Sequence, residues 1–145
     1  MQKTGTAERE RRYCRHGYEH GLAVARIAYA YLLEQGTGEL NKEAVYAASL
    51  LHDIGRWLEY ADGRDHALAG AELAGPLLAQ CHFTSQEQGI IVRAIQEHRQ
   101  DPGNQSLSPL GRALALADDW ARDCRNCASQ AGCYKFNVDM TRLEY

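Results

Sequence analysis

The sequence predicts an all-α protein, a compact bundle of about five to six helices. Apolar residues recur at three- and four-residue intervals in almost every segment. No segment alternates as a strand would, and residues that cap helices stand where each apolar run begins. The first predicted helix covers residues 7–34, with Leu22, Val24, Ala25, Ile27, Ala28, Tyr31 and Leu32 on one broad face, and Gly36 and Gly38 stop it. Asn41 caps the second, which runs through Val45, Ala48 and Leu51 until Gly55 breaks it. Asp65 caps a third over 66–80. Thr84 and Glu87 match a capping box for a fourth that ends near Arg99. Asp101-Pro102-Gly103-Asn104 is a loop, and Ser108-Pro109 opens a fifth helix through Leu114, Leu116 and Trp120.

The chain's 145 residues, 45% of them apolar, suit one domain over 1–145 whose core needs no disulfides; the cysteine-bearing tail occupies 124–145. Sixteen basic residues stand against 19 acidic ones, so no nucleic-acid partner is expected. The basic cluster Arg9, Arg11, Arg12 and Arg15 is interrupted by Glu10 and reads as a solvated face. No apolar run approaches the roughly 20 residues of a membrane span, and Met1-Gln2-Lys3-Thr4 carries no apolar signal core. A cytoplasmic location with free thiols is the expectation.

The chemistry is carried by histidines and aspartates. His20 lies beside an apolar stretch, and His52-Asp53 closes the apolar helix end Ala47-Ala48-Ser49-Leu50-Leu51. His66 opens a helix, His98 closes one, and Asp118 follows Ala113-Leu114-Ala115-Leu116-Ala117. A carboxylate against such a run is costly to bury unless it is paired or metal-bound. Imidazole and carboxylate together suit Fe, Mn, Zn or Co. A bound cation lowers the pKa of a water nucleophile and neutralises phosphoryl charge, which anionic phosphoesters require. Asp53 has two oxygens and so can bridge two cations.

In this order these residues resemble the HD-domain superfamily of metal-dependent phosphohydrolases. The resemblance runs from about Tyr13 to Trp120, through His20 with Val24-Ala25 four residues on, through His52-Asp53-Ile54-Gly55-Arg56, to Leu116-Ala117-Asp118. It implies that His20, His52, Asp53 and Asp118 hold a divalent cation (Fe, Mn, Zn, Co or Mg). His66 and His98 resemble the extra histidines of two-metal members, among them cyclic-dinucleotide phosphodiesterases and diadenosine polyphosphate hydrolases. They would hold a second cation or contact the scissile phosphate; the alternative is one cation with both histidines on substrate. The Gly-Tyr-Pro signature of the cyclic-dinucleotide group is absent from the sequence. Arg56 takes a position where relatives carry a basic residue, and its guanidinium suits two phosphate oxygens. The alternative is a surface pair with Glu59 or Asp62, and Arg99 is a weaker phosphate candidate. His16, four residues before His20 on the same predicted helix face, is a supporting or substrate group, and His82 is an ordinary turn residue.

The tail carries Cys124, Cys127 and Cys133, a C-x2-C-x5-C array. Cys14 lies six residues before His20, and Cys124 six after Asp118. If the two helices pack antiparallel with His20 meeting Asp118, both cysteines fall ~9 Å from that level in the same direction. Cys14 thus joins Cys124, Cys127 and Cys133 in a four-sulfur site for zinc or a [4Fe–4S] cluster. Free thiols or a disulfide are the alternatives, and Cys81 is expected to be a buried apolar residue.

The sequence therefore describes a phosphohydrolase that acts on a small phosphorylated substrate, a nucleotide or related phosphoester, through metal-activated water. Asp53, Arg56, His66 and His98 are its candidate catalytic residues, and His66, His98 or Asp119 its candidate general acid. A non-catalytic nucleotide or metal sensor that reports through the sulfur site is the alternative, and a metal-stabilised structural domain a third. Homo-oligomerisation stays open.

Overall fold

Side-chain hydrogen bonds fix the starts of four of the helices. The computed structural model describes residues 2–10, 14–37, 40–133 and 136. Among the described residues seven α-helices follow one another: α1 (Gln2–Ala7), α2 (Tyr18–Glu34), α3 (Lys42–Leu51), α4 (Arg56–Asp62), α5 (His66–Gln80), α6 (Ser85–Glu97) and α7 (Pro109–Trp120); a 3₁₀ turn follows at Gln130–Gly132. The described residues contain no strand, in accord with the all-α reading. Arg11, Arg12, Tyr13, Gly38 and residues 134–135 and 137–145 of the tail lie outside the described residues.

The Asn41 side chain accepts the Ala44 amide at 2.7 Å, and Asp65 accepts those of Ala67 and Leu68 at 2.8 and 3.1 Å. Thr84 and Glu87 form the reciprocal box, and Ser108 accepts the Gly111 amide at 3.0 Å. Each such cap stabilises its helix by about 1 kcal/mol. Asn41 also donates to Glu87 at 2.6 Å, which ties the start of α3 to the start of α6.

Two stretches depart from the sequence reading. The expected helix over 7–34 is broken: α1 ends at Ala7 and α2 begins only after Gly17. The buried Glu8 accepts from the His16 amide and pairs with the His16 ring Nδ1, at 2.6 Å each. His16 therefore precedes α2 and shares no helix face with His20. The second departure is α4, which has no capping side chain and ends at Gly63 in the left-handed region (φ 78°). Cys81 is also corrected: it is exposed at the end of α5.

The core lies where α2 packs on α3 and α7, and α6 on α5, α7 and α3. Val24, Val45, Leu78, Ile91, Ile95, Leu110 and Leu114 fill it, and alanines 28, 48, 74, 94, 113 and 117 let the helix axes approach. Burying each of the large aliphatic side chains contributes roughly 1.5–3 kcal/mol. At the polar end, Glu97 accepts the Ser108 amide at 2.9 Å and pairs with Arg93 at 2.8 Å, joining the end of α6 to the start of α7. No helix among the described residues is long and apolar enough to cross a membrane.

Gly55 lets α5 approach the turn after His52-Asp53. A β-carbon there would stand 2.5 Å from the His66 carbonyl oxygen and collide with the Gly70 backbone. Neither obstacle is a side chain that can swing away. Gly55→Ala is expected to destabilise the fold by about 3 kcal/mol or more, read as a lowered midpoint in urea. An unchanged midpoint would mean that α5 does not sit this close.

Candidate metal centre

Five elements deliver the histidines and aspartates to one place. His20 comes from the first turn of α2, His52 and Asp53 from the end of α3, and Asp118 from the last turn of α7. His66 is the first residue of α5, and His98 ends α6. His20 Nε2 stands 2.9 Å from Asp118 Oδ1, and His52 Nε2 stands 3.2 Å from Asp53 Oδ2 and 3.8 Å from Asp118 Oδ1. On the other side, His66 Nε2 lies 3.2 Å and His98 Nε2 3.9 Å from Asp53 Oδ1. Two groups thus have ligand atoms within 4.8 Å of one another: His20, His52, Asp53 and Asp118, and Asp53, His66 and His98. Asp53 belongs to both.

The remaining ring nitrogens are held from outside. His52 Nδ1 donates to the Ser49 carbonyl at 2.6 Å, and His98 Nδ1 to the Ile95 carbonyl at 2.7 Å. His66 Nδ1 donates to Glu59 Oε2 at 2.6 Å. A proton fixed on Nδ1 leaves the Nε2 lone pair directed inward, the arrangement that supports a metal-ligating histidine. His66 Nε2 and His98 Nε2 face each other at 3.3 Å. His52 Nε2 and Asp53 Oδ2 are buried and make no hydrogen bond. Leaving such atoms unsatisfied costs about 1–3 kcal/mol each, and a cation among them would remove that cost. The donor set therefore fits divalent cations.

The electrostatics agree. Burial opposes charge on Asp53, but His52, His66 and Arg56 outweigh it and hold the carboxyl well below the usual range. His20, His52 and Arg122 do the same for Asp118, again against burial. Burial alone would depress His52; Asp53 and Asp118 instead raise it to about 10. Burial and the neighbouring His52 push His98 down to about 4, so its ring is neutral at pH 7. Both carboxylates are thus held in the ionised form that a cation requires.

A cavity of about 550 Å³ opens against this centre, lined among others by His16, Arg56, Tyr60, His66, His98, Arg99, Asp118 and Arg122. Arg56 turns toward Asp53, 2.8 Å from Oδ1, with Glu59 farther off at 3.9 Å. Arg99 pairs with Asp65 at 2.7 Å and Glu59 at 3.3 Å. Cys14, Cys124, Cys127 and Cys133 line the same cavity. His82 is exposed at the turn after α5 with a positive φ of 62°, away from the centre.

Three supporting groups have no place in the sequence reading of the site. Arg122 bonds Asp118 Oδ2 at 2.9 Å and Asp119 at 3.0 Å; its spacing of four residues from Asp118 was the available signal. Glu59 orients His66, and nothing local indicates that. Glu8 also accepts from Tyr60 at 2.6 Å. Burial would raise its carboxyl, but His16 and Tyr60 win and hold it down at about 2.

Fold and centre together define an all-helical protein with a buried histidine–aspartate centre able to hold divalent cations. The chain belongs to the HD domain family, whose model matches residues 17–123. That family consists in general of metal-dependent phosphohydrolases. An uncharacterized protein of Clostridium beijerinckii is 35% identical over 126 residues, covering 87% of this chain and 77% of the relative. Ribonuclease Y of Mycoplasma mycoides is 30% identical over 99 residues, 68% of this chain. Ribonuclease Y of Geobacter sulfurreducens is 32% identical over 95 residues, 66% of this chain. The chain spans only 20% and 16% of the length of these two ribonucleases. No solved structure matches the chain significantly.

Proposed function

We propose that the protein is a two-cation phosphohydrolase acting on a nucleotide or related phosphoester. The observation that carries this reading is Asp53, shared by both ligand groups, with one oxygen turned to each side. His20, His52, Asp53 and Asp118 hold one cation, and Asp53, His66 and His98 the second. Bound there, divalent cations supply Lewis acidity, lower the pKa of a water nucleophile and screen the phosphoryl oxygens.

The chain's own residues shape the rest. The cavity has the size of a small-molecule site, within the usual range of about 300–1,000 Å³. Arg56 is nearest the centre and is the phosphate contact; its guanidinium keeps donors beyond those that Asp53 accepts. Arg99 stands farther out, where a second phosphate or a sugar would lie. The near-balanced net charge of −3 favours a small substrate over a long nucleic acid. The name of the ribonuclease Y relatives makes a phosphodiester bond a reasonable member of the substrate class.

The test is turnover across nucleoside phosphates, cyclic and linear dinucleotides and a short oligoribonucleotide, with Mn²⁺ or Fe²⁺ added. Phosphate or nucleotide release that disappears with chelator and returns with metal is the expected result. Tight nucleotide binding without turnover would overturn the hydrolase in favour of a sensor. Turnover of the oligoribonucleotide alone would overturn the small-substrate assignment.

A further inference from the structure

The cavity that opens on the histidine–aspartate centre has a second wall of different chemistry. Cys14, Cys124, Cys127 and Cys133 all line it, although Cys14 is remote from the others in sequence. None is in a disulfide, and each is half-buried, unlike the exposed Cys81. The three later cysteines are presented by successive tight turns. The Cys127 amide meets the Cys124 carbonyl at 3.4 Å, and the Cys133 amide meets that of Gln130 at 3.1 Å. The Gln130 side chain closes the loop on the Cys124 carbonyl at 2.9 Å. Cys14, Cys127 and Cys133 all lie within electrostatic reach of Cys124.

Spacing decides what such a set can hold. A single tetrahedral zinc with bonds of about 2.3 Å draws its sulfurs to roughly 3.8 Å from one another. Among the described residues, no cysteine belongs to any group of three ligand atoms within 4.8 Å. The four thiols share a wall, and no three of them stand within 4.8 Å of one another. A tetranuclear cluster fits this better than one zinc, because each thiolate binds a different iron around an inorganic core. Arg122 links this wall to the histidine–aspartate centre: it pairs with Asp118 at 2.9 Å and Asp119 at 3.0 Å and lies within electrostatic reach of Cys14.

We propose that Cys14, Cys124, Cys127 and Cys133 bind a [4Fe–4S] cluster on the cavity wall, with Arg122 between the cluster and the metal-ligating Asp118.

Inorganic sulfide is the discriminating readout, because the histidine–aspartate centre can take up iron but not sulfide. The full chain, purified without oxygen and reconstituted with equal parts of ferrous and ferric iron and with sulfide, is expected to hold about four labile sulfides per chain. It should also show the broad visible absorption of a cluster. Cys14→Ser and Cys124→Ser should each lower sulfide at least severalfold, whereas Cys81→Ser should leave it unchanged. Wild-type sulfide at background would overturn the proposal, as would a single zinc per chain that is lost in the cysteine variants. Full sulfide in Cys14→Ser would remove Cys14 from the site. The wild-type result decides even if a variant fails to fold. Sulfide content is read separately from turnover, so a failure here leaves the hydrolase reading standing.

Discussion

Asp53→Ala is expected to abolish turnover and to lower bound metal at both ligand groups together. Its carboxylate lies 3.2 Å from His52 on one side and 3.2 Å from His66 on the other, and among the described residues no other side chain belongs to both groups. Metal-centred charge stabilisation amounts to several kcal/mol. At about 1.4 kcal/mol per decade of rate, its loss corresponds to roughly a thousandfold or more in kcat/KM. Arg56 and His52 would also lose the charge that faces them, so the alanine variant risks a fold defect of its own. Asp53→Asn keeps the shape and one acceptor oxygen while removing the charge, and the same loss is expected of it. Metal content and kcat/KM measured together decide the matter. Wild-type turnover with wild-type metal in Asp53→Asn would sink the mechanism.

The second large effect is expected at His98. Its neutral ring is held by the Ile95 carbonyl and faces His66 at 3.3 Å. His98→Ala should lower the metal content from about two ions per chain to about one and reduce kcat by at least about 100-fold, the upper end of what loss of a mere supporting group causes. His98→Gln fills more of the buried space and controls for a cavity defect. Suppose instead that the wild type holds one ion and the variant raises KM with kcat unchanged. His98 would then be a substrate contact, and the two-cation reading would fall.

The helix starts were legible because capping is local. Asn41, Asp65, Thr84 with Glu87, and Ser108 each need only partners two or three residues away. The break before α2 was not legible. It depends on Glu8 being buried under Tyr60, a contact across 52 residues that no periodicity of apolar side chains reports. The short α4 was missed for a related reason. It lacks a capping side chain, and Gly55 is there for the close approach of α5, a requirement set by packing.

By itself the sequence determined the all-helical class, the family resemblance and the ordered set from His20 through His52-Asp53 to Asp118. These depend on residue type, spacing and neighbours along the chain. The sequence also anticipated a shared Asp53 and a Cys14 grouped with the later cysteines; only the tertiary structure decided that Glu59 braces His66 and that Arg122 braces Asp118. The physical reason is distance along the chain. His20 meets Asp118 across 98 residues and His66 meets His98 across 32. Whether such groups touch is settled by how the helices pack, through burial and contacts that no local stretch of sequence encodes.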